Sequence, residues 1–546
     1  MVVSLPVGGV AVLSDRAAIG CAELAAADGG VGKFLVVAAN ADTAPDNKPD
    51  FVLADSSVSI TFANVTGQRS GALTQRGAGP ELSSAMAQLE AGASVSAEAR
   101  LRAMERRVLR LGDRRSLRGA AQLQRSTGVL GQVSAQSTPT TGDTLSYKVP
   151  DAKSDNACED FTQVRAVVKA VGQHGILVQD VNSPAGGFSS ADFTAIADEF
   201  DKVIYTADTV HFGSPLDIDN NGHVVLLYTP IVNAITERGS GSVTEGFFFG
   251  GDLFPVSQCK QSNGAEIFYL IVPDPDAKFS DKREAASVRE NTRGTIAHEF
   301  QHMINLSVRI RNDVPDETTW LNEGLSHFAE ELVGRKVRGF NDTQELAIAD
   351  VADQLNGLKD FNAFFGQNLV RFRNWLRAPG DIGATSEHAD TSLAVRGASW
   401  ALLRWSADQY AKGNVAAFTR ALVAGPESGV RNLTARAGVA FDSLMAGWMV
   451  ANFADNNGIT GINDRYTYIS WNIRNVETAV NQGDGFPLVV TSLAQDQSLN
   501  GTAPSAGGSY FQLTTSSGSR TIIGQLDSAG GAATYTGARL YILRIE

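Results

Sequence analysis

The sequence has few cysteines, and they are not arranged as a thiolate metal site. Cys21, Cys158 and Cys259 are the three cysteines among 546 residues, and none belongs to a C-x-x-C pair. A zinc site built from cysteines is therefore disfavoured. The three residues permit one disulfide, for which Cys158–Cys259 is the preferred pair, with one free thiol. The alternative is three free thiols in a reducing compartment.

The sequence also lacks a long hydrophobic run and an excess of positive charge. No stretch of 18 or more apolar residues occurs, so no transmembrane helix is expected. The apolar run at residues 2–13 has no preceding Lys or Arg, so a signal peptide is not predicted. The formal net charge of −13 argues against a nucleic-acid partner.

Length and the distribution of residue types predict a multidomain α/β (α+β) protein, since 546 residues exceed one ordinary hydrophobic core. Residues 1–75 are predicted as an N-terminal β-domain and residues 476–546 as a C-terminal β-module. Residues 148–475 are predicted as a larger mixed domain, preceded by a helical Arg-rich segment plus linker at residues 76–147. An alternative is that residues 1–145 form a removable pro-segment.

The Arg-rich segment contains an apolar stripe at helical spacing, formed by Leu101, Met104, Val108 and Leu111. The favoured interpretation is a helix packed on an acidic domain with its charged face in solvent. The alternative is a helix that binds a membrane surface or an acidic partner.

The residues that indicate chemistry lie in the H-E-x-x-H motif formed by His298, Glu299 and His302. Positions i and i+4 of a helix share one face, so the two imidazoles are able to bind one metal ion. Glu299 adjoins the first imidazole, where its carboxylate is able to take a proton from water. Because the chain has seven histidines, a chance match is improbable, although a helix with two surface histidines is the alternative.

A third ligand is predicted at Glu323, 21 residues after His302. It lies in a predicted helix whose apolar stripe includes Trp320, Leu325 and Phe328, and it falls outside that stripe. A carboxylate completes a His₂Glu set and leaves one coordination position open for water. The alternative interpretation of Glu323 is an ordinary surface acid.

Together the segments H-E-F-Q-H-M-I-N and W-L-N-E-G-L-S-H-F-A-E-E resemble the gluzincin clan of metallopeptidases. More narrowly, they resemble the bacterial hyicolysin-type secreted zinc metallopeptidases. The resemblance extends from about residue 158 to about residue 475 and does not include the two terminal β-rich regions.

The resemblance implies a gluzincin-like α/β catalytic domain at residues 148–475, flanked by small β-rich domains. It implies Zn²⁺ held by His298, His302 and Glu323, with Glu299 as the base. The implied activity is hydrolysis of extracellular proteins or peptides, outside the cell or in the periplasm or at the cell surface. The oligomeric state is not indicated.

The second electrophile of such a site is where the sequence departs from the pattern. Where relatives are expected to have a Tyr directly before Gly-Ala, this chain has Arg396. Arg396 is the preferred candidate to stabilise an oxyanion, with binding of a substrate carboxylate as its alternative role, and His388 and Tyr410 are the weaker candidates. His327 lies four residues after Glu323 and is predicted to orient a metal ligand.

Two further features are ambiguous. Residues 266–270 are predicted as a strand, either the substrate-binding edge of a sheet or a buried central strand. Asp217, Asp219 and Asn221 resemble the first half of an EF-hand loop, but position twelve is Tyr228, which excludes an EF-hand. A looser Ca²⁺ site or a simple Asp/Asn turn remain.

Two other functions fit parts of the pattern. An aminopeptidase is the main enzymatic alternative, although its amine-binding motif has no counterpart beyond Gly264-Ala265-Glu266. A zinc-fold binding protein with weak or no catalysis is the alternative from another class, since Arg396 replaces the expected Tyr.

Overall fold

The computed structural model describes residues 1–55, 82, 100–101, 103–107, 138–240, 243–353, 357–387, 392–494, 496–518 and 520–546. Within them the chain is a mixed α/β protein with three sheets and a helical lobe.

The strands are β1 (Val2–Leu5), β2 (Val10–Leu13), β3 (Ala22–Ala26), β4 (Gly32–Asn40), β5 (Asp50–Asp55), β6 (Thr144–Pro150), β7 (Phe161–Val171), β8 (Gly175–Asp180), β9 (Val224–Tyr228), β10 (Gly246–Phe248), β11 (Ile267–Leu270), β12 (Val490–Ser492), β13 (Ser498–Thr502), β14 (Gly507–Thr515), β15 (Thr521–Leu526) and β16 (Ala538–Arg544). The α-helices are α1 (Arg16–Gly20), α2 (Ser190–Glu199), α3 (Tyr205–Phe212), α4 (Pro230–Asn233), α5 (Ala285–Asn312), α6 (Thr319–Arg338), α7 (Ile348–Val351), α8 (Gly357–Asp360), α9 (Gly366–Leu376), α10 (Ala394–Tyr410), α11 (Val415–Ala424), α12 (Gly429–Ala437), α13 (Phe441–Ala454) and α14 (Ile473–Val480). Short π-helices span Phe200–Ile204 and Phe361–Phe365, and short 3₁₀-helices span Gly250–Leu253 and Asp464–Tyr466.

Strands from both ends of the chain build one β-sandwich. Its sheets have the orders β1-β3-β15-β5-β13 and β12-β14-β4-β16-β2. The N-terminal strand β4 lies between the C-terminal strands β14 and β16, antiparallel to both. The two terminal regions predicted as separate β-units therefore share both sheets, and loss of residues 1–55 as a pro-segment would remove the central strand of one of them. The predicted domain boundaries themselves stay predictions.

Strand β4 also connects the sandwich to the rest of the protein, because both of its faces are buried. Phe34 and Val36 point into the core of the sandwich, whereas Leu35 and Val37 belong to the main hydrophobic core. A strand buried on both faces reads as a continuous apolar run rather than an alternating one.

The third sheet has the order β10-β11-β9-β8-β7-β6, in which β8, β9 and β11 are parallel. The strand predicted at residues 266–270 is β11, and it is buried between β9 and β10. The edge-strand interpretation of these residues is therefore wrong, because the edge is formed by β10. A strand of three residues is too short to give a periodic signal in the sequence.

Helices α5 and α6 carry the predicted chemical motifs, and a buried ion pair fixes the turn between them. Arg309 Nη1 lies 3.2 Å from Glu317 Oε2. Glu317 also accepts hydrogen bonds from the backbone N–H of Gly429, at 2.6 Å, and from the side chain of Asn432, at 2.8 Å. A buried carboxylate with this many donors is well satisfied, so the two helices meet at a defined angle.

The opposite face of α6 is tied to the helical lobe through Glu331. Its two carboxylate oxygens accept hydrogen bonds from the indole N–H groups of Trp400 and Trp471, at 2.8 and 2.9 Å. Arg335 donates to the same carboxylate at 2.7 Å. Because charged groups buried in this way are stable only when paired, this network holds α6 in one position.

Cys158 and Cys259 form a disulfide, with Cα atoms 4.6 Å apart, and Cys21 is a free, exposed cysteine. The disulfide joins the chain after β6 to the segment that precedes β11. No helix among the described residues has the length and apolar character needed to span a membrane.

The helix predicted in the Arg-rich segment lies partly outside the described residues, including Val108 and Leu111. Residues 100–101 and 103–107 are helical and are called the Arg-rich helix below. Leu101 and Met104 are each 2% exposed and belong to the main core. Arg107 Nη2 pairs with Asp155 Oδ1 at 2.8 Å, so the described part of this helix is packed on the protein.

Gly294, one turn before His298 on α5, permits close approach of the π-helix at Phe361–Phe365. A Cβ added at Gly294 would lie 1.8 Å from the carbonyl oxygen of Ala363. We expect Gly294→Ala to lower the free energy of unfolding by about 1–3 kcal/mol, because overpacking outweighs the gain in helix propensity. Urea denaturation followed by circular dichroism measures this effect. Ser287→Ala, at an exposed position of the same helix, is the control, and equal stability of both variants would contradict the packing argument.

Candidate metal centre and active site

Two helices bring the three predicted ligands together. His298 and His302 lie on α5 and Glu323 lies on α6, and their side chains are at most 8% exposed. The two Nε2 atoms are 3.1 Å apart. Glu323 Oε1 is 3.5 Å from His302 Nε2, and Glu323 Oε2 is 3.7 Å from His298 Nε2. These three residues are called the triad below.

A hydrogen-bonded relay fixes the proton of His298. Arg371 Nη1 lies 2.6 Å from His327 Nε2, and since a guanidinium only donates, this nitrogen is the acceptor. The His327 proton is therefore on Nδ1, which lies 2.9 Å from Glu330 Oε1. The same carboxylate oxygen is 2.7 Å from His298 Nδ1. His298 thus donates from Nδ1, and its Nε2 lone pair points into the triad.

His302 is oriented by a separate set of contacts. Its Nδ1 lies 3.1 Å from Ser326 Oγ. The hydroxyl has one proton, and its shortest contact is the 2.6 Å hydrogen bond to Gln301 Oε1. Ser326 therefore accepts from His302 Nδ1–H, which leaves the Nε2 of His302 as a lone pair as well.

Two lone pairs that face each other at this distance repel unless a cation lies between them. Zinc–nitrogen distances of about 2.0–2.1 Å with tetrahedral angles place two imidazole nitrogens about 3.3 Å apart, close to the 3.1 Å observed. The nearby Glu323 carboxylate supplies negative charge and an oxygen ligand. The donor set and its geometry therefore fit Zn²⁺.

A second group of metal-ligand type, formed by His298, His327 and Glu330, overlaps the triad. Glu330 Oε1 already forms a hydrogen bond of 2.7 Å with His298 Nδ1 and lies 2.9 Å from His327 Nδ1, and Arg371 donates to the remaining nitrogen of His327. A cation there would replace these protons and lie near a guanidinium. The overlapping group is therefore better described as the support of the triad.

Glu299 is held beside the triad by the edge strand. Its Oε2 accepts a hydrogen bond from the backbone N–H of Phe248 on β10, at 2.8 Å. This bond links the zinc-type helix to the end of the sheet and fixes one oxygen of the carboxylate. A carboxylate fixed next to a metal triad is placed to exchange protons with water at the same position.

The three candidates for the second electrophile have different outcomes. Arg396, at the start of α10, reaches the triad, where its Nη1 is 3.3 Å from Glu323 Oε2. Tyr410 is the last residue of the same helix, about 21 Å further along its axis, and its ring packs on Trp405. Tyr410 is therefore distant from Arg396 along the helix, and its role stays a prediction that this position does not favour. His388 lies outside the described residues.

Sequence reasoning did not identify Glu330, Arg371 and Ser326. Glu330 had a detectable signal, because it follows Glu323 by seven residues and His327 by three on one helix face. Arg371 comes from α9, and no local pattern connects it with His327. Burial raises the pKa of Glu330, and the guanidinium of Arg371 acts in the opposite direction.

The space beside the triad is small. A cavity of about 50 Å³ is lined by His302, Phe248, Asn305 and, from the Arg-rich helix, Glu105. A larger cavity of about 810 Å³ lies against the β-sandwich and contains none of the candidate catalytic residues.

The residues predicted for calcium lie near the start of β9. Asp217 and Asp219 have a third acidic neighbour, Glu266, which the sequence analysis had connected only with an aminopeptidase motif. The side-chain amide of Asn221 donates to Asp219 Oδ2 at 2.6 Å, and its oxygen accepts from the backbone N–H of His223 at 2.7 Å. Asn221 therefore orients this loop.

Comparisons with known proteins give one partial similarity in sequence. The chain is 26% identical over 217 residues to the neutral metalloprotease ShpI of Staphylococcus hyicus. The matched region covers 37% of this chain and 47% of that protein. The chain thus spans about half the length of the curated relative it matches. No known protein-family profile matches the chain. This partial similarity supports an interpretation as a metallopeptidase.

Among solved structures, the chain is similar to an M1 zinc metallopeptidase from Deinococcus radiodurans. The similarity has a TM-score of 0.29 and 12% sequence identity, and it covers 56% of this chain and 52% of that one. A TM-score this low carries no argument about function.

The relay gives a test that does not depend on catalysis. We expect Glu330→Gln to weaken zinc binding by about 10- to 100-fold, because the neutral amide is a weaker acceptor for His298 Nδ1–H than the carboxylate and holds the ring less firmly. Competition with a chromophoric chelator measures the dissociation constant. Glu290→Gln, on the surface of the same helix α5 as His298, is the control, and an unchanged constant for Glu330→Gln would contradict the assigned tautomers.

Proposed function

We propose that this protein is a zinc-dependent endopeptidase that hydrolyses peptide bonds of extracellular proteins or peptides. The observation that carries the proposal is the pair of imidazole lone pairs that face each other beside Glu323 and Glu299. The sequence similarity to a metalloprotease supports the same assignment. We further propose a gluzincin-type catalytic layout of hyicolysin kind, in which the sheet leads into α5 and the helical lobe follows.

In this proposal His298, His302 and Glu323 hold Zn²⁺, which would polarise the scissile carbonyl and acidify water when bound. Glu299 accepts the proton of the attacking water and passes it to the leaving amine. The hydrogen bond from the backbone of Phe248 keeps its carboxylate in place during both transfers.

Arg396 is the proposed positive group near the developing oxyanion. The guanidinium always carries its charge, and its contact with Glu323 places that charge at the edge of the triad. The alternative is that Arg396 only orients Glu323. In the first role Arg396 differs from a Tyr hydroxyl. A guanidinium stabilises the oxyanion through its fixed positive charge and does not transfer a proton.

Strand β10 is the proposed substrate-binding edge. The carbonyl of Glu245 accepts from the N–H of Ile271, the residue directly after β11. Since successive backbone groups of a strand alternate in direction, those of Gly246 and Phe248 point away from β11. The N–H of Phe248 is engaged by Glu299. An extended peptide that pairs with the remaining outward-facing groups would lie along the triad.

The aminopeptidase alternative is less well supported. An aminopeptidase needs a carboxylate that binds the free α-amine of its substrate, and Glu266 was the candidate from the sequence. Its Oε1 accepts the backbone N–H of Ile218 at 3.0 Å, and its other neighbours are Asp217 and Asp219. Glu266 is thus engaged outside the triad. A zinc-fold binding protein without catalysis remains the alternative that an activity measurement decides.

Glu299→Gln separates metal binding from proton transfer. We expect the variant to keep the zinc content of the wild type and to lose about 100- to 10,000-fold in kcat/KM, because an amide does not accept the water proton. Zinc is measured by atomic emission, and cleavage is measured on peptides with acetylated and free N-termini. Equal cleavage of both peptide sets supports an endopeptidase, whereas a strict need for the free amine indicates an aminopeptidase.

Glu290→Gln provides the matched control on the same helix. Wild-type protein that holds zinc but cleaves neither peptide set would exclude the proposal in favour of a binding protein. A Glu299→Gln variant as active as the wild type would remove Glu299 from the mechanism.

A further inference from the structure

We propose that Asp217, Asp219 and Glu266 form a structural calcium site that ties the loop before β9 to the start of β11. One carboxylate oxygen from each of the three residues lies within 4.8 Å of the others. The cluster is outside the triad, and it joins two neighbouring parallel strands of the mixed sheet.

The side chain of Glu266 provides the observation that indicates a bound cation. It is 1% exposed, and its Oε1 accepts from the backbone N–H of Ile218. Its Oε2 is buried without a hydrogen-bond partner within the described part of the chain. Leaving a buried carboxylate oxygen without a partner is costly, and here that oxygen adjoins two further carboxylates.

The charges around the cluster do not compensate one another. No Lys or Arg among the described residues forms an ion pair with Asp219 or Glu266. Burial raises the pKa of Glu266 to about 8 and that of Asp219 to about 6, and the neighbouring carboxylates contribute to both shifts. A divalent cation supplies the charge that this part of the sheet lacks.

The chemistry of the donors favours calcium over zinc or magnesium. All three side chains offer hard oxygen ligands. Asn220 and Gly222 have positive φ angles of 57° and 71°, which curl the loop tightly. Ca²⁺ accepts six to eight oxygens in irregular geometry, whereas Mg²⁺ requires a regular octahedron.

The position of the site connects it to the rest of the sheet. The backbone N–H of Val225, at the start of β9, donates to the carbonyl of Glu266 at 2.7 Å. Strand β11 then pairs with β10, which holds Glu299 through Phe248. Calcium at this cluster would therefore stabilise the strands that lead to the edge of the sheet.

Titration of the zinc-loaded full-length chain with CaCl₂ tests the site. We expect one Ca²⁺ per chain by isothermal titration calorimetry and a rise in Tm on addition. Asp219→Asn and Glu266→Gln are expected to weaken Ca²⁺ binding at least tenfold, with zinc content unchanged. Asp198→Asn, an exposed acid on α2, is the control, and MgCl₂ is expected to bind more weakly.

Absence of Ca²⁺ binding by the wild type up to about 10 mM, well above the dissociation constants of extracellular calcium modules, would overturn the proposal. Unchanged affinity of Asp219→Asn would also overturn it, and this partly exposed position decides the matter if Glu266→Gln does not fold. Zinc content and peptide cleavage, measured on the same samples, report on the proposed function separately.

A different observation carries a second inference, which rests on the proposed function. We infer that the Arg-rich helix limits access to the triad. Its Glu105 lines the same cavity as His302 and Phe248, and that cavity of about 50 Å³ is far below the roughly 300–1,000 Å³ of ordinary ligand sites. Buried Leu101 and Met104 and the Arg107–Asp155 ion pair hold the helix there.

Release of zinc to a chelator tests this inference without an activity measurement. In a Glu299→Gln background, Met104→Asp buries a charge under the helix and displaces it, so we expect EDTA to remove zinc at least tenfold faster. Val210→Asp, at an exposed apolar position, is the control. Equal rates for both variants would overturn the inference, whereas a chain without zinc would instead contradict the proposed function.

Discussion

The site depends on one constraint, which is that two imidazole nitrogens are forced to face each other with their lone pairs. Arg371 permits one tautomer of His327, whose Nδ1 lies 2.9 Å from Glu330 Oε1, and the same Glu330 oxygen keeps the proton of His298 on Nδ1. Ser326 does the same for His302. With both rings neutral in these tautomers the two lone pairs repel each other, and the proposed Zn²⁺ would relieve that repulsion while both supports stay in place.

This constraint requires helices that do not shift. A shift between α5 and α6 would move Glu323, Ser326 and Glu330 away from the two imidazoles on α5, and both helices are accordingly held by several contacts. Glu317 and Arg309 fix the turn between them, and Glu331 anchors the far face of α6. Burying these charges is unfavourable in free energy by itself. Their contribution is that they permit a single arrangement of the two helices.

The sequence was sufficient to predict the site residues that are neighbours on one helix, but not those that come from distant parts of the chain. His298, Glu299 and His302 share one helix, and the spacing of a helix is sufficient to place them. The neighbourhood of Glu323 was recognised by resemblance. In contrast, Arg371 and Phe248 reach the site from α9 and β10, and no local pattern in the sequence connects them with the triad. The same limitation applies to the two β-rich ends. Their strands pair with strands about 500 residues away in the sequence, and no local pattern identifies the partner.

The pairing of those ends has a consequence for biosynthesis. Strand β16 contacts β2 and β4, so this sheet stays incomplete until the chain as far as Arg544 has left the ribosome. Closing so long a loop costs entropy that local contacts do not repay. The sandwich is therefore expected to assemble last, after the main hydrophobic core has formed. A polypeptide whose synthesis stops early would leave the edges of β4 unpaired and prone to aggregation.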